Sequence, residues 1–181
     1  MNTYILLLRG INVSGHKKIK MSDLKEMMEQ IGFANIQTYI QSGNVVFNSV
    51  EEDSIKLGDK LQAAIYTKFG FEVPVLVFEM NDFKKIILNS PLECQGELEE
   101  KNAYFVLLKD QPEPALIKLL EGEKYLNEQF SIASNCVYLK CTNGYGNAKC
   151  NNNFFERKLK VQATTRNYKT MLALLEMAST G

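Results

Sequence analysis

This sequence has little of what chemistry is usually read from. It contains one histidine, His16, with no cysteine or carboxylate at metal-ligand spacing beside it, so no metal site is expected. Its four cysteines, Cys94, Cys136, Cys141 and Cys150, include no Cys-x-x-Cys pair and read as reduced thiols of a cytoplasmic protein. Neither sign of charge is in excess: 21 Lys and Arg balance 21 Asp and Glu. That balance weighs against a general nucleic-acid binder, which carries a clear positive surplus, but it leaves room for a local basic patch. No run approaches the roughly 20 apolar residues of a membrane span. The apolar stretch near the N-terminus is short, follows no cationic segment and ends at Arg9, unlike a signal peptide. No low-complexity segment interrupts the chain, no membrane partner is expected, and no cofactor is assigned.

What is present suits an ordinary core. The chain has 181 residues, 45% of them hydrophobic and 23% charged, enough for one larger domain or two small ones. Ile5-Leu6-Leu7-Leu8 is an unbroken apolar run, which predicts a strand buried on both faces in the middle of a sheet. Ser22 and Asp23 then open a helix carrying Leu24, Met27, Met28 and Ile31, closed by Gly32. Ile36, Thr38 and Ile40 alternate along a half-buried strand. Ser42-Gly43 reads as a two-residue hairpin turn into Asn44-Val45-Val46-Phe47. A helix from about Asp53 to Phe69 follows, and Pro74 places the next strand, 73–78, at a sheet edge. This order is the split βαβ, or ferredoxin-like, arrangement of an α+β protein.

The second half repeats the order without repeating the sequence. After a short helix ending near Pro91, the polar stretch 92–101 reads as a linker between a lobe at 1–91 and a second α+β lobe at 102–181. The second lobe reads as a strand at 103–108, a helix near 114–121, and strands near 128–133 and 135–141. A loop, a helix bearing Phe154, Phe155 and Leu159, and an extra C-terminal helix complete it.

Three segments share one chemistry. The first is Arg9-Gly10-Ile11-Asn12 with Lys17, Lys18 and Lys20, leaving the first strand. The second is Gly144-x-Gly146-x-x-Lys149, just before a helix. The third is Thr164-Thr165-Arg166-Asn167, read as the approach to the last helix. Glycines let peptide N–H groups come close to an anion, helix N-termini present unpaired N–H groups, and arginine grips phosphate or carboxylate with two parallel bonds. Each loop alone has a plain reading as a turn, a cap or a solvated face. The Gly-x-Gly-x-x-Lys spacing is not a nucleotide fingerprint, since it has neither the P-loop frame nor a third glycine. Arg9 differs, because a cation directly after a buried strand calls for a binding or ion-pair partner. His16 reads as a solvent-facing loop residue, and Ser42 is no nucleophile elbow because a strand follows it.

Several stretches resemble a known family. Leu7-Leu8-Arg9-Gly10-Ile11-Asn12-Val13, Thr38-Tyr39-Ile40-Gln41-Ser42-Gly43-Asn44-Val45-Val46-Phe47 and Ala163-Thr164-Thr165-Arg166-Asn167 are similar to signatures of the bacterial family called domain of unknown function 1697. The resemblance implies a bacterial cytosolic α+β protein and supplies no activity. The chain departs from the pattern at Ser14, where the family often has glycine, and at Tyr168, where it usually has tryptophan. Ala148 and Cys150 stand where a hydroxyl residue and a leucine are common.

The expectation from the residues is a phosphorylated or acidic small ligand held between the lobes. Arg9, Lys17 or Lys20, Lys149 and Arg166 supply charge, Gly10, Gly144 and Gly146 supply backbone donors, and Asn12, Ser42 and Asn44 orient the rest. Thr165 and Asn167 belong to the same set. No catalytic residue is assigned, so whether the protein is an enzyme stays open. Two alternatives stand beside this reading. One is a module for single-stranded nucleic acid, against which the first and third strands offer only Tyr4 and Phe47 for stacking. The other is a structural or protein-interaction domain.

Overall fold

The computed structural model describes residues 1–92, 94 and 96–180; Glu93 and Gln95, within the expected linker, lie outside the described residues. The chain divides into two compact units, Met1–Lys85 together with Ala173 onward, and Ile86–Leu172. Each contains a four-stranded antiparallel sheet. Strands β1 (Asn2–Leu8), β2 (Ala34–Tyr39), β3 (Asn44–Ser49) and β4 (Val75–Glu79) are ordered β2-β3-β1-β4 in the first. Strands β5 (Ala103–Leu108), β6 (Glu128–Ile132), β7 (Cys136–Cys141) and β8 (Ala163–Asn167) are ordered β6-β7-β5-β8 in the second. The two orders correspond strand for strand, and both are ferredoxin-like.

In the first unit β1 is central, as its apolar run predicts. Tyr4, Leu6 and Leu8 pack in one core with Leu24 and Met28 of helix α1 (Met21–Gln30) and Leu57 and Leu61 of helix α2 (Ser54–Phe69). Ile5 and Leu7, on the opposite face, are equally buried. Strand β4 lies at the edge, directly after Pro74, which has no N–H to donate to a ladder. Asp53 caps α2 by accepting N–H bonds from Ile55 and Lys56, and Gly70 ends it in the left-handed conformation. Helix α1 starts two residues earlier than expected, at Met21, with Lys20 and not Ser22 in the cap position and no side-chain cap bond.

Two further expectations are corrected. The β2–β3 connection is not a two-residue hairpin: it spans Ile40 to Gly43, with Ile40 at φ 49° and Gly43 at φ 75°. Ala163–Asn167 is not a loop but the edge strand β8, paired to β5 from Tyr104↔Asn167 to Leu108↔Ala163. Its polar composition hides it, since only Ala163 and Thr164 are buried.

Between the units' sheets in sequence come α3 (Met80–Leu88) and α4 (Glu97–Asn102), the latter beginning inside the stretch 92–101 expected as linker and ending one residue past it. The second unit's core joins Val106, Leu108, Val137 and Leu139 to Phe154, Phe155 and Leu159 of helix α6 (Asn152–Leu159), with α5 (Pro114–Glu121) alongside. The last helix, α7, runs from Tyr168 to Thr180.

Candidate functional site

In the first unit the predicted residues gather at one end of the sheet. Leu8 donates its N–H to Gly43 O at 2.8 Å, and Arg9 donates to Pro74 O at 3.1 Å, so the start of the loop is fixed to both neighbouring strands. Ile11 and Ile19 are buried and anchor the segment between them. Asn12 does the rest. Its amide nitrogen donates to Ile19 O and to Gln41 O, each at 2.8 Å, and its oxygen accepts the Ile19 N–H at 2.9 Å. The loop is thereby closed on itself and stapled to the β2–β3 turn. Asn12→Ala removes all three bonds, and we expect a loss of about 2–3 kcal/mol in urea denaturation with faster proteolysis within 9–20.

The backbone of this loop is unusual. Gly10, Asn12, Ser14, Gly15 and Lys17 all have φ between 46° and 79°. Left-handed residues interleaved with ordinary ones curl a chain so that successive N–H groups line a concavity, a recurrent anion-binding arrangement. From Arg9 to Lys20 there are four cations and no carboxylate. Lys17 Nζ donates to Glu72 O at 2.6 Å, while Lys18 and Lys20 are exposed and Arg9 is half-buried. Ser42 Oγ accepts from the Asn44 amide at 2.8 Å, and that amide also donates to Tyr39 O at 3.1 Å. Asn44 is fully buried. Asn12 and Asn44, expected to orient a ligand, thus use amide donors on the protein's own turns.

In the second unit the predicted residues separate. The loop of Gly144 and Gly146 joins Thr165 through one side chain, Tyr145. Its hydroxyl donates to Thr165 Oγ1 at 3.0 Å and accepts the Asn152 N–H at 2.8 Å, and Thr165 Oγ1 donates to Asn152 Oδ1 at 3.1 Å. Asn151 accepts the Phe154 N–H at 3.1 Å, so these side chains occupy donors at the start of α6. Asn167 likewise caps α7, accepting from Thr170 N at 2.8 Å. Arg166 belongs to the other face of the sheet: it pairs with Phe105, whereas Thr165 pairs with Val106. Its Nη1 donates to Thr164 Oγ1 at 2.8 Å and to Thr165 O at 2.9 Å. Burial lowers its guanidinium to about 10, with Tyr145 acting in the opposite direction, so it remains cationic at neutral pH.

Sequence reasoning missed the carboxylate of Glu128. It is buried, and its Oε1 accepts the Lys149 N–H at 3.1 Å, so the second loop already holds an anion supplied by the protein. One signal was available: Glu128 shares the alternation of Phe130 and Ile132, which pack against the core. A charged residue in that register stands out. Nearby, Tyr125 donates to Glu123 Oε2 at 2.5 Å, and Glu123 also accepts from Lys158. The hydrogen bond to Glu123 pushes the Tyr125 phenol up to about 12.

Cys136, Cys141 and Cys150 are buried free thiols, and burial raises all three, Cys141 to about 11 and Cys150 to about 12. Such thiols are poor nucleophiles. Among the described residues no group of three His, Cys, Asp or Glu side chains could hold a metal. No helix among them is long and apolar enough to cross a membrane.

No curated protein matches the chain. A solved structure of a conserved bacterial protein, SP0830 from Streptococcus pneumoniae, is similar to it with a TM-score of 0.76 at 22% identity, over 98% of each chain. At that identity the likeness is one of fold. Residues 1–138, which include the whole cationic loop and the β2–β3 turn, match the family described as "Protein of unknown function (DUF1697)", and the chain belongs to that family.

Proposed function

We propose that the protein binds a small anionic ligand, phosphate- or carboxylate-bearing, at the loop that leaves β1. The observation that supports this reading is the run of left-handed residues from Gly10 to Lys17 on a loop with four cations and no acid. Keeping Ser14 and Lys17 in that conformation costs about 1–2 kcal/mol each, a strain of the kind that gathers at binding sites. In this reading Gly10 offers its N–H, since those of Arg9 and Asn12 are spent on Pro74 O and Lys17 O, while Arg9, Lys17 and Lys20 supply charge and Asn12, Ser42 and Asn44 hold the frame. The corresponding connection in the second unit, after β5, is the short Lys109–Glu113 segment with no glycine.

The test is a thermal-shift screen of phosphorylated and carboxylated metabolites against wild type, Arg9→Ala and Arg166→Ala. We expect at least one compound to raise the wild-type melting temperature and to lose most of that effect with Arg9→Ala, in a variant that is itself folded. Arg166→Ala tests the second unit's cation by itself. Stabilisation that survives Arg9→Ala unchanged for every compound overturns the proposal. So does binding that appears only with single-stranded nucleic acid and falls steeply with salt.

A further inference from the structure

The second unit carries a cavity of about 310 Å³ beside the start of β6, lined by Lys124, Tyr125, Asn127, Glu128, Asn147 and Lys149. That is the small end of the range for sites that hold metabolites. We infer that it takes a hydroxyl-bearing anion of the sugar-phosphate class, independently of the loop after β1.

The argument starts from Glu128, which is only 8% exposed. Its Oε1 is engaged by the Lys149 N–H, whereas Oε2 has no hydrogen-bond partner among the described residues and is not sealed from solvent. A carboxylate oxygen that is open to solvent and unpaired by the protein is available to accept from a ligand hydroxyl in the cavity. The two ammonium groups on the wall, Lys124 and Lys149, form no ion pair among the described residues, although a carboxylate lines the same cavity.

These charges narrow the ligand. A simple cation would satisfy Glu128 but meet two lysines. A bare phosphate would satisfy the lysines but meet Glu128. A molecule with hydroxyl groups at one end and an anion at the other satisfies both, its hydroxyl donating to Oε2 and its anionic group lying between the lysines. Asn127 and Asn147 line the same cavity, the Asn147 amide also donating to Asn143 O at 3.4 Å, and Tyr125 lies on its wall with its ring edge to face against Phe154.

Calorimetric titration of the full chain with ribose 5-phosphate tests this, with inorganic phosphate and ribose as single-feature probes. Ribose 5-phosphate should bind at least tenfold more tightly than either fragment. Glu128→Gln keeps an acceptor for Lys149 N–H and removes the charge, and it should weaken ribose 5-phosphate about tenfold or more. The exposed pair Lys124→Ala with Lys149→Ala should do the same without unfolding the protein, and Arg9→Ala should change nothing. Phosphate binding as tightly as the sugar phosphate, indifference to both sets of changes, or no binding at millimolar concentration overturns the inference. Loss of binding with Arg9→Ala overturns it in favour of the first unit's loop.

Discussion

Gly43→Ala should destabilise the first unit by about 2–5 kcal/mol, more than alanine at either of two other glycines. A Cβ on Gly43 would lie 2.5 Å from Leu8 Cβ and 2.9 Å from Ile11 Cδ1, with φ at 75°. Both obstacles are fixed. Leu8 is held in the central strand and bonded to Gly43 O, and Ile11 is buried in the core. Overpacking adds about 1–3 kcal/mol and the left-handed backbone about 1–2 kcal/mol. Two other glycines provide the internal scale. Gly10 has φ 69° but nothing within 4 Å, so Gly10→Ala should cost only about 1–2 kcal/mol. Gly146 has open space and no left-handed φ, so Gly146→Ala should change stability by less than about 0.5 kcal/mol. Equal losses at all three positions in urea denaturation would show that contact with Leu8 is not what makes Gly43 necessary.

Phe155→Ala should cost the second unit about 3–5 kcal/mol. The ring is fully buried and meets Phe130 at 5.4 Å and Phe154 at 5.2 Å, both edge to face. Its loss leaves a hole bounded by two rings and the sheet, which a sheet stapled by β5 and β7 cannot close. Since the chain has no tryptophan, unfolding is best followed by near-ultraviolet dichroism of tyrosine and phenylalanine with far-ultraviolet dichroism beside it. A loss below about 1 kcal/mol would mean that the aromatic cluster is loosely packed.

The parts of this molecule that depend on local pattern could be read in advance. Ile5 to Leu8 announce a central strand, Pro74 announces an edge, and Asp53 with Gly70 bracket a helix. What could not be read depends on register. Thr165 and Arg166 look like one cationic motif, but alternation along β8 turns them to opposite faces, and the strand was hidden by its own polarity. The cations of the first loop were visible, while the backbone twist that makes the loop distinctive was not. Asn12 is of a type that adopts the left-handed conformation readily, but Ser14 and Lys17 are not residues from which it is expected. Glu128 was legible only to someone asking why an acid should occupy the inward position of Phe130 and Ile132.

The strand orders also set a timetable for synthesis. Strand β1 leaves the ribosome first, yet its ladder with β4 cannot close until Glu79, the partner of Tyr4, has been made. Strand β5 waits in the same way for β8. Such long closures are slow compared with local turns, so each central strand spends time exposed before its edge partner arrives. The segment from Ala173 belongs to the first unit, although it is translated after every strand of the second. A truncation before Ala173 therefore takes material from the half of the protein that was made first.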